Sequence, residues 1–396
     1  VKVRVKGVRA IVALLVIIIV FFVVLLFWNN KSPSPTQSFV EKWLMNPNGT
    51  IATYVLPDDE FDTDLAKGRE ALSESLGLWM QYAIVADDRK LFEKAYQSLV
   101  AYFMEEDGFI YWKLNELGTS QVYTNALVDD LRIMEALFQA QKKWGGDYGT
   151  TAVKIGETWN TQPQVGFLTD YYDSQYGYSG KTLSLSYIDP VAIESMRERG
   201  LLDEETAQRT IGILREAPIK AGFYPKSYGA RGYRFAEEVH MVDQALAAYH
   251  QAKLGVVSQE FLEFVKKEMS DAGVVYGRYK LGNAQPTVNY ESPSVYGFLL
   301  MYSMEIGEKE LAEEIYRRMI AFRNDDKNSP YYGGYSVDKS GNTHVFDNLV
   351  PMLAERVYLG RVVKVLSGIN LCVASWNGFE TSFRRQKAVE LSGNCL

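Results

Sequence analysis

Between residues 38 and 360, apolar positions recur at helical spacing, which predicts helices along nearly the whole stretch. Leu72, Leu76, Met80 and Ala83 form one stripe; Leu91, Ala95 and Leu99, with Phe92 and Phe103 beside them, form the next. About twelve such segments follow, starting near Ser38, Leu65, Lys90, Thr124, Tyr148, Asp189, Asp203, Glu237, Ser258, Ser292, Glu308 and His344.

The connecting loops repeat as well. A glycine followed by apolar and aromatic residues recurs at Gly49 (GTIATY), Gly108 (GFIYW), Gly166 (GFLTDYY), Gly222 (GFYPKSY), Gly273 (GVVYGRY) and Gly334 (GYSV). The steps are 59, 58, 56, 51 and 61 residues. Six copies, each taking two helices, predict a closed or curved array of helix pairs. Gly77 through Tyr96 also aligns without a gap on Gly297 through Tyr316, pairing Leu91 with Leu311 and Glu93 with Glu313. The expectation is an all-α fold, an (α/α)6 barrel with an inner and an outer ring. A seven-helix bundle or an open solenoid would also use helix pairs, but the count of six favours the barrel.

The N-terminus reads differently. Lys2, Arg4, Lys6 and Arg9 precede an uncharged apolar run from Ala10 to Trp28. Its length suits the hydrocarbon core of a bilayer, about 30 Å thick. The basic flank predicts that residues 1–9 stay cytoplasmic as a short stub and that the remainder is exported. No small-residue cleavage site and no cysteine for lipidation follows the run, so a single-pass membrane anchor over 10–28 is preferred to a cleaved signal peptide. Residues 29–37 read as a Ser/Pro linker, residues 38–360 as the barrel, and residues 361–396 as a peripheral tail without assigned role.

Composition narrows the partners. The net charge of -7 and the lack of a basic stripe exclude a general nucleic-acid binder. The 26 tyrosines and 7 tryptophans suit either a thick core or a groove in which flat rings stack on sugars. Cys372 and Cys395 fall in the tail, and His240, His250 and His344 are scattered, so no metal site and no cofactor is implied.

Acids recur where the helices after the aromatic loops begin: Glu74, Asp129 and Asp130, Asp189, Glu237 and Glu238, Glu291 and Asp347. If these helices form the inner ring, their N-terminal ends share one face. The acids then converge on one opening beside Trp112, Tyr123, Tyr187, Tyr224 and Tyr290. Each acid alone could simply complement a helix N-terminus, worth about 0.3–1 kcal/mol. As a set they would repel one another, a cost that independent caps avoid. Hydrolysis of a neutral or cationic glycan needs such a mouth: one carboxylic acid protonates the leaving oxygen while a second carboxylate activates water or attacks the sugar.

Several motifs resemble glycoside hydrolase family 8. SESLGLWM (Ser73 to Met80) is similar to the family's S-E-G-Q-G-Y-G-M, matching at Ser73, Glu74, Gly77 and Met80. ALVDDLRIMEALFQAQKKW resembles its A-S-D-A-D-L-x-I-A helix at Ala126, Asp130, Leu131, Ile133, Ala136, Ala140 and Trp144. SYIDP (Ser186 to Pro190) resembles its S-Y-F-x-P, and DGFIYWK (Asp107 to Lys113) its aromatic loop. The resemblance implies an (α/α)6 barrel and an inverting endo-acting hydrolase of β-linked polysaccharide such as β-glucan, chitosan or exopolysaccharide. Glu74 would be its general acid. AEEVH (Ala236 to His240) corresponds to Y-D-A-I-R, which puts Glu237 at the base position, with Glu238 or Asp243 as alternatives. Asp129, Asp130, Asp189, Trp112, Tyr123, Tyr187, Tyr224 and Tyr290 are the expected substrate contacts.

Val128 stands where the family has the first aspartate of D-A-D, so a sugar-binding carboxylate is lost unless Asp129 replaces it. A glycan-binding relative without turnover is therefore one rival reading, and another (α/α)6 polysaccharide-degrading enzyme is a second. The expected partners are a polysaccharide, the membrane and, by inference from the anchor, exopolysaccharide secretion machinery.

Overall fold

The computed structural model describes residues 33–362 except 59, 61, 163 and 164. The apolar run at 10–28 and the tail beyond 362 lie outside the described residues. Among the described residues no helix is long and apolar enough to cross a membrane.

Twelve helices are found among the described residues. Helix α1 (Pro35–Phe39) continues as a π turn over Val40–Leu44, so the last residues of the expected linker already belong to the first helix. Then follow α2 (Ser73–Ala86), α3 (Arg89–Ser98), α4 (Leu127–Trp144), α5 (Tyr148–Thr161) and α6 (Pro190–Glu198). The second half holds α7 (Glu204–Arg215), α8 (Met241–Lys253), α9 (Gln259–Asp271), α10 (Pro293–Glu305), α11 (Lys309–Ile320) and α12 (346–362).

Even-numbered helices form the inner ring and odd-numbered ones the outer ring of an (α/α)6 barrel. Their sequences explain the division. The inner α10 buries every residue from Pro293 to Ser303, because both of its sides meet protein. The outer α11 buries only Leu311, Ala312, Ile315 and Met319, one stripe facing inward. Gly77 of α2 and Gly297 of α10 do the same job in the two aligned segments. A methyl group at Gly77 would press on Arg132 and Ile133 of α4, and one at Gly297 would clash with Val350 of α12 at 2.8 Å. Each glycine lets the next inner helix approach.

The ring is closed by the two ends of the barrel sequence. On the π turn after α1, the Trp43 indole donates to the Pro330 carbonyl (3.0 Å) in the loop leading to α12. The Tyr82 hydroxyl of α2 donates to Gln37 of α1 (3.1 Å). The repeated loops turn on glycines with positive φ at 49, 108, 166, 222 and 273; in the sixth copy Gly333, not Gly334, takes that conformation.

Two expected helix starts move. Residues 62–70 are loop, so the second helix begins at Ser73 rather than near Leu65. Residues Glu238–His240 form a short strand, β8, before α8 begins at Met241 instead of Glu237. Short antiparallel strands decorate the face from which the inner helices start: β1 (Ala71–Leu72) with β2 (Lys113–Leu114), β3 (Tyr172–Asp173) with β4 (Tyr178–Ser179), β5 (Thr182–Ser184) with β6 (Ser227–Gly229) and β7 (Gly232–Arg234), and β8 with β9 (Arg278–Lys280).

The third inner helix breaks the pattern. Where its first turns belong, a 3-10 turn over Leu185–Tyr187 and an extended step precede α6, which has only nine residues. Asp189 caps the delayed helix by accepting from the Val191 and Ala192 N–H groups. The unwound turn is thereby free to present Ser186 and Tyr187 to the centre of the face.

Candidate active site

Glu74 sits in the first turn of α2, yet it is not a cap. The N-cap is Leu72, without a side-chain bond, and the Glu74 carboxyl makes no hydrogen bond to any described residue. It is half-buried, and burial, with the Asp129 and Asp243 charges, pushes its pKa up to about 8 against the opposing pull of Arg132. A carboxyl group in that state holds its proton at neutral pH.

Beneath it, Asp129 is buried in the first turn of α4 and held from two sides. The Ser73 hydroxyl donates to its Oδ2 (2.7 Å), and Arg132 donates to its Oδ1 (3.2 Å). Burial raises its pKa while Arg132 and Ser73 oppose the rise. Across the opening, Asp243 occupies the corresponding turn of α8. One of its oxygens accepts from Ser186 Oγ (3.0 Å). Asp170 is the fourth acid. The Ser184 N–H donates to it at 2.6 Å and the Ser184 hydroxyl at 3.1 Å, and burial pushes its pKa up to about 6. Tyr187 stands among all four acids, and burial together with their charges raises its phenol far above the usual value.

From Tyr187 and Asp170 a cleft of about 600 Å³ opens outward. Trp112 and Tyr123 form part of its wall, with Tyr171, Tyr178, Asp64 and Asp173. The arrangement joins a protonated carboxylic acid, nearby carboxylates and a ring-lined groove. Chemically, that suits protonation of a leaving oxygen beside a bound sugar.

The other expected site residues lie elsewhere. Asp130 is buried behind α4, where Asn125 (3.0 Å) and the Trp159 indole (2.8 Å) donate to it; it fastens α4 to α5 instead of facing the opening. Tyr224 is fully buried, bonded through its hydroxyl to Gln251 (2.8 Å), and belongs to the core. Asp189 sits deeper in the barrel beside Lys253 (3.5 Å). Burial opposes its ionisation, but Lys253, His250 and two backbone N–H groups keep its carboxyl below the ordinary range. His250 lies 3.7 Å from it, but burial pushes His250 down to about 3, so the cation there is Lys253. Glu237 is exposed on the rim, and Glu238 pairs with Arg278 (2.9 Å). Tyr290 is half-exposed, its ring lying over Gly277, outside the lining of the cleft. Glu291 is clamped by Arg318, and Asp347 holds the start of α10 through Ser292 (2.6 Å) and Ser294 (2.8 Å).

Asp170, Tyr171 and Tyr178 were not singled out from the sequence. Asp170 carried a signal, as the acid inside GFLTDYY, one of the repeated loops.

No family model matches this sequence. YdaJ of Bacillus subtilis (strain 168), named as a candidate lipoprotein, is 38% identical over 333 residues, covering 83% of this chain and 88% of its own. The chain belongs to the YdaJ family. Among solved structures it is similar to an alpha-amylase from Clostridium perfringens, with TM-score 0.73, 25% identity, and coverage of 82% of this chain and 96% of that one. PssZ from Listeria monocytogenes gives 0.66 at 26% identity, with coverage of 82% and 96%. The endoglucanase Cel10 from Klebsiella pneumoniae, a family 8 glycosyl hydrolase, gives 0.54 at 16% identity, with coverage of 80% and 97%. The last likeness is one of fold. This chain thus shares its barrel fold with glycoside hydrolases.

Proposed function

We propose that this chain is a glycoside hydrolase that cuts within a polysaccharide by inversion, with Glu74 as general acid and Asp243 as general base. The observation that carries the reading is the Glu74 carboxyl: half-buried, unbonded and protonated near neutrality. Glu74 donates its proton to the glycosidic oxygen as the bond to the anomeric carbon breaks. Asp243 takes a proton from water as that water attacks the opposite face of the sugar. Ser186 fixes one oxygen of Asp243, leaving the other to face water. Inversion requires the two carboxyl groups to stand about 6.5–9.5 Å apart. Glu237, the base expected from the sequence, is exposed on the rim and gives way to Asp243.

The acids along the cleft favour a neutral or cationic glycan over a uronic-acid polymer. A β-linked polysaccharide is the first reading, supported by the family 8 resemblance. An α-linked glucan is the second, supported by the Clostridium perfringens alpha-amylase. The basic flank and apolar run, and the lipoprotein name of YdaJ, support a site at the outer face of the membrane. Exopolysaccharide trimming during secretion would suit that location.

The test incubates wild type and Glu74→Gln with β-1,4-glucan, β-1,3/1,4-glucan, chitosan, xylan, soluble starch and exopolysaccharide of the producing organism, and counts new reducing ends. Cleavage by the wild type that is lost in Glu74→Gln is expected, and the cleaved polymer names the linkage. Equal cleavage by both would overturn the role of Glu74. No cleavage of any polymer would favour the binding-only relative, in which Val128 marks a lost sugar contact.

A further inference from the structure

The strand that walls the cleft has a second face. Tyr172 and Asp173 point to opposite faces, as neighbours in a strand must, and the turn that follows continues the alternation. Tyr171, Asp173 and Gln175 line the central cleft, whereas Tyr172 and Ser174 line a separate pocket of about 400 Å³ on the outer side. That volume falls within the range of about 300–1,000 Å³ typical of small-molecule sites.

Its floor holds an unusual group. Gln162 is 5% exposed, and among the described residues neither its amide nitrogen nor its amide oxygen has a hydrogen-bond partner. Buried amides are normally bonded, so a whole side-chain amide left unpartnered in the wall of a pocket points to a ligand that both donates and accepts once the side chain turns to meet it. The carboxyl groups of Glu105 and Asp107 stand exposed at its rim. One oxygen of each is engaged, by the Tyr111 hydroxyl and by the Phe109 N–H (3.0 Å) respectively, and the other meets no donor among the described residues. Phe109, Tyr111 and Tyr172 supply the rings, packed edge to face with centroids 5.3 Å and 6.4 Å from Phe109.

We propose that this outer pocket is a second carbohydrate site, which holds a neutral sugar unit of the polymer while another stretch occupies the cleft. A sugar's vicinal hydroxyls can donate to Glu105 and Asp107 and both donate to and accept from the Gln162 amide. Its flat face meets the rings. Two sites back to back on one hairpin would raise the effective concentration of a long chain at the cleft, an advantage that a single short oligomer cannot have. The inference rests on the reading of the chain as a glycan-active protein, but not on Glu74.

Electrophoresis of the full chain, in mild detergent, through native gels containing β-1,3/1,4-glucan, soluble xylan or soluble starch reads this binding without turnover. The expected result is retardation by at least one polymer, weakened about tenfold in Gln162→Leu and also reduced in Glu105→Gln, whose exposed position spares the fold. Trp112→Ala, in the central cleft, should retain part of the retardation. Retardation unchanged in both outer-pocket variants, or absent with every polymer, would overturn the second site. Reducing-end assays with Glu74→Gln test the hydrolase reading alone, so the two failures are distinguishable.

Discussion

Two acids at the opening, Glu74 and Asp243, and the acids in the barrel wall differ in what answers their charge. Glu355 accepts with both oxygens from one nitrogen of the Arg323 guanidinium, at 2.8 and 2.9 Å, and Asp189 receives Lys253 and two backbone N–H groups. Glu291 is held by Arg318. These groups join elements that the ring must keep together. Among the described residues the Glu74 carboxyl, by contrast, bonds to nothing, and Asp243 accepts from a single hydroxyl. In this fold, then, a carboxylate at a helix start is not in itself a sign of chemistry. What separates Glu74 and Asp243 from the wall acids, and from Asp129 with its Arg132, is the missing cationic partner.

The sharpest way to break that distinction is to neutralise one member of each set. Glu74→Gln and Asp243→Asn should each lower kcat by about 10²–10⁴, the usual contribution of general acid or base catalysis. Asp189→Asn should act on stability instead. It leaves Lys253 buried without its counter-charge, which costs about 3–5 kcal/mol and should appear as a lower denaturation midpoint in urea. A large activity loss with unchanged stability in Asp189→Asn would erase the division between the two sets.

Their pH responses should also diverge. Glu74 has its pKa raised in the folded chain from 4.5 to about 8, so the folded state holds this proton more tightly. Its contribution to stability is complete below pH 4.5 and declines as the pH rises to about 8. Asp189 is shifted below 3.8 and Lys253 above 10.5, so their pair contributes fully between those values and is lost only outside them. Denaturation midpoints between pH 5 and pH 9 should therefore fall in the wild type, with a shallower slope in Glu74→Gln, where Asp170 and Asp129 still lose protons, and the full slope retained in Asp189→Asn. Activity should decline near pH 8 as Glu74 loses its proton.

Much of the barrel was legible because each repeat writes its own period. Glycine loops at intervals of 51 to 61 residues and one-sided outer helices foretold six helix pairs. The resemblance through SESLGLWM pointed to Glu74, and the structure adds that the glutamate is no cap. Side-chain direction was harder to read. Asp129 and Asp130 are adjacent, but about 100° of helical rotation sends one beneath Glu74 and the other behind the helix to Trp159. Tyr224 and Tyr187 follow similar loops, yet only Tyr187 lies on an unwound turn that brings it to the opening. Asp243 was only one of three candidates, behind Glu237, because the loop between Ala236 and Met241 hides a strand, which moves the helix start and with it the acid that reaches inward.

Smaller effects should map the groove. Removing the Tyr178 ring with Tyr178→Ala, or the indole with Trp112→Ala, should raise KM about three- to tenfold with kcat nearly unchanged, if those rings bind substrate and transition state alike.

The smallest effect decides between the bases. Glu237 is exposed and its backbone, through its carbonyl, receives the Leu281 N–H (2.9 Å), a bond indifferent to the side chain. Glu237→Gln should therefore leave kcat and KM within about twofold of wild type, as exposed substitutions away from special features do. Glu238→Gln removes the charge facing Arg278, a pair about two-fifths exposed on each side, and should cost little stability. If instead Glu237→Gln stops hydrolysis while Asp243→Asn does not, water is activated at the rim, and the strand before α8 must swing inward when substrate binds. Saturating exogenous azide would then rescue Glu237→Gln, and not Asp243→Asn, because only the vacated base position admits a small nucleophile beside the anomeric carbon.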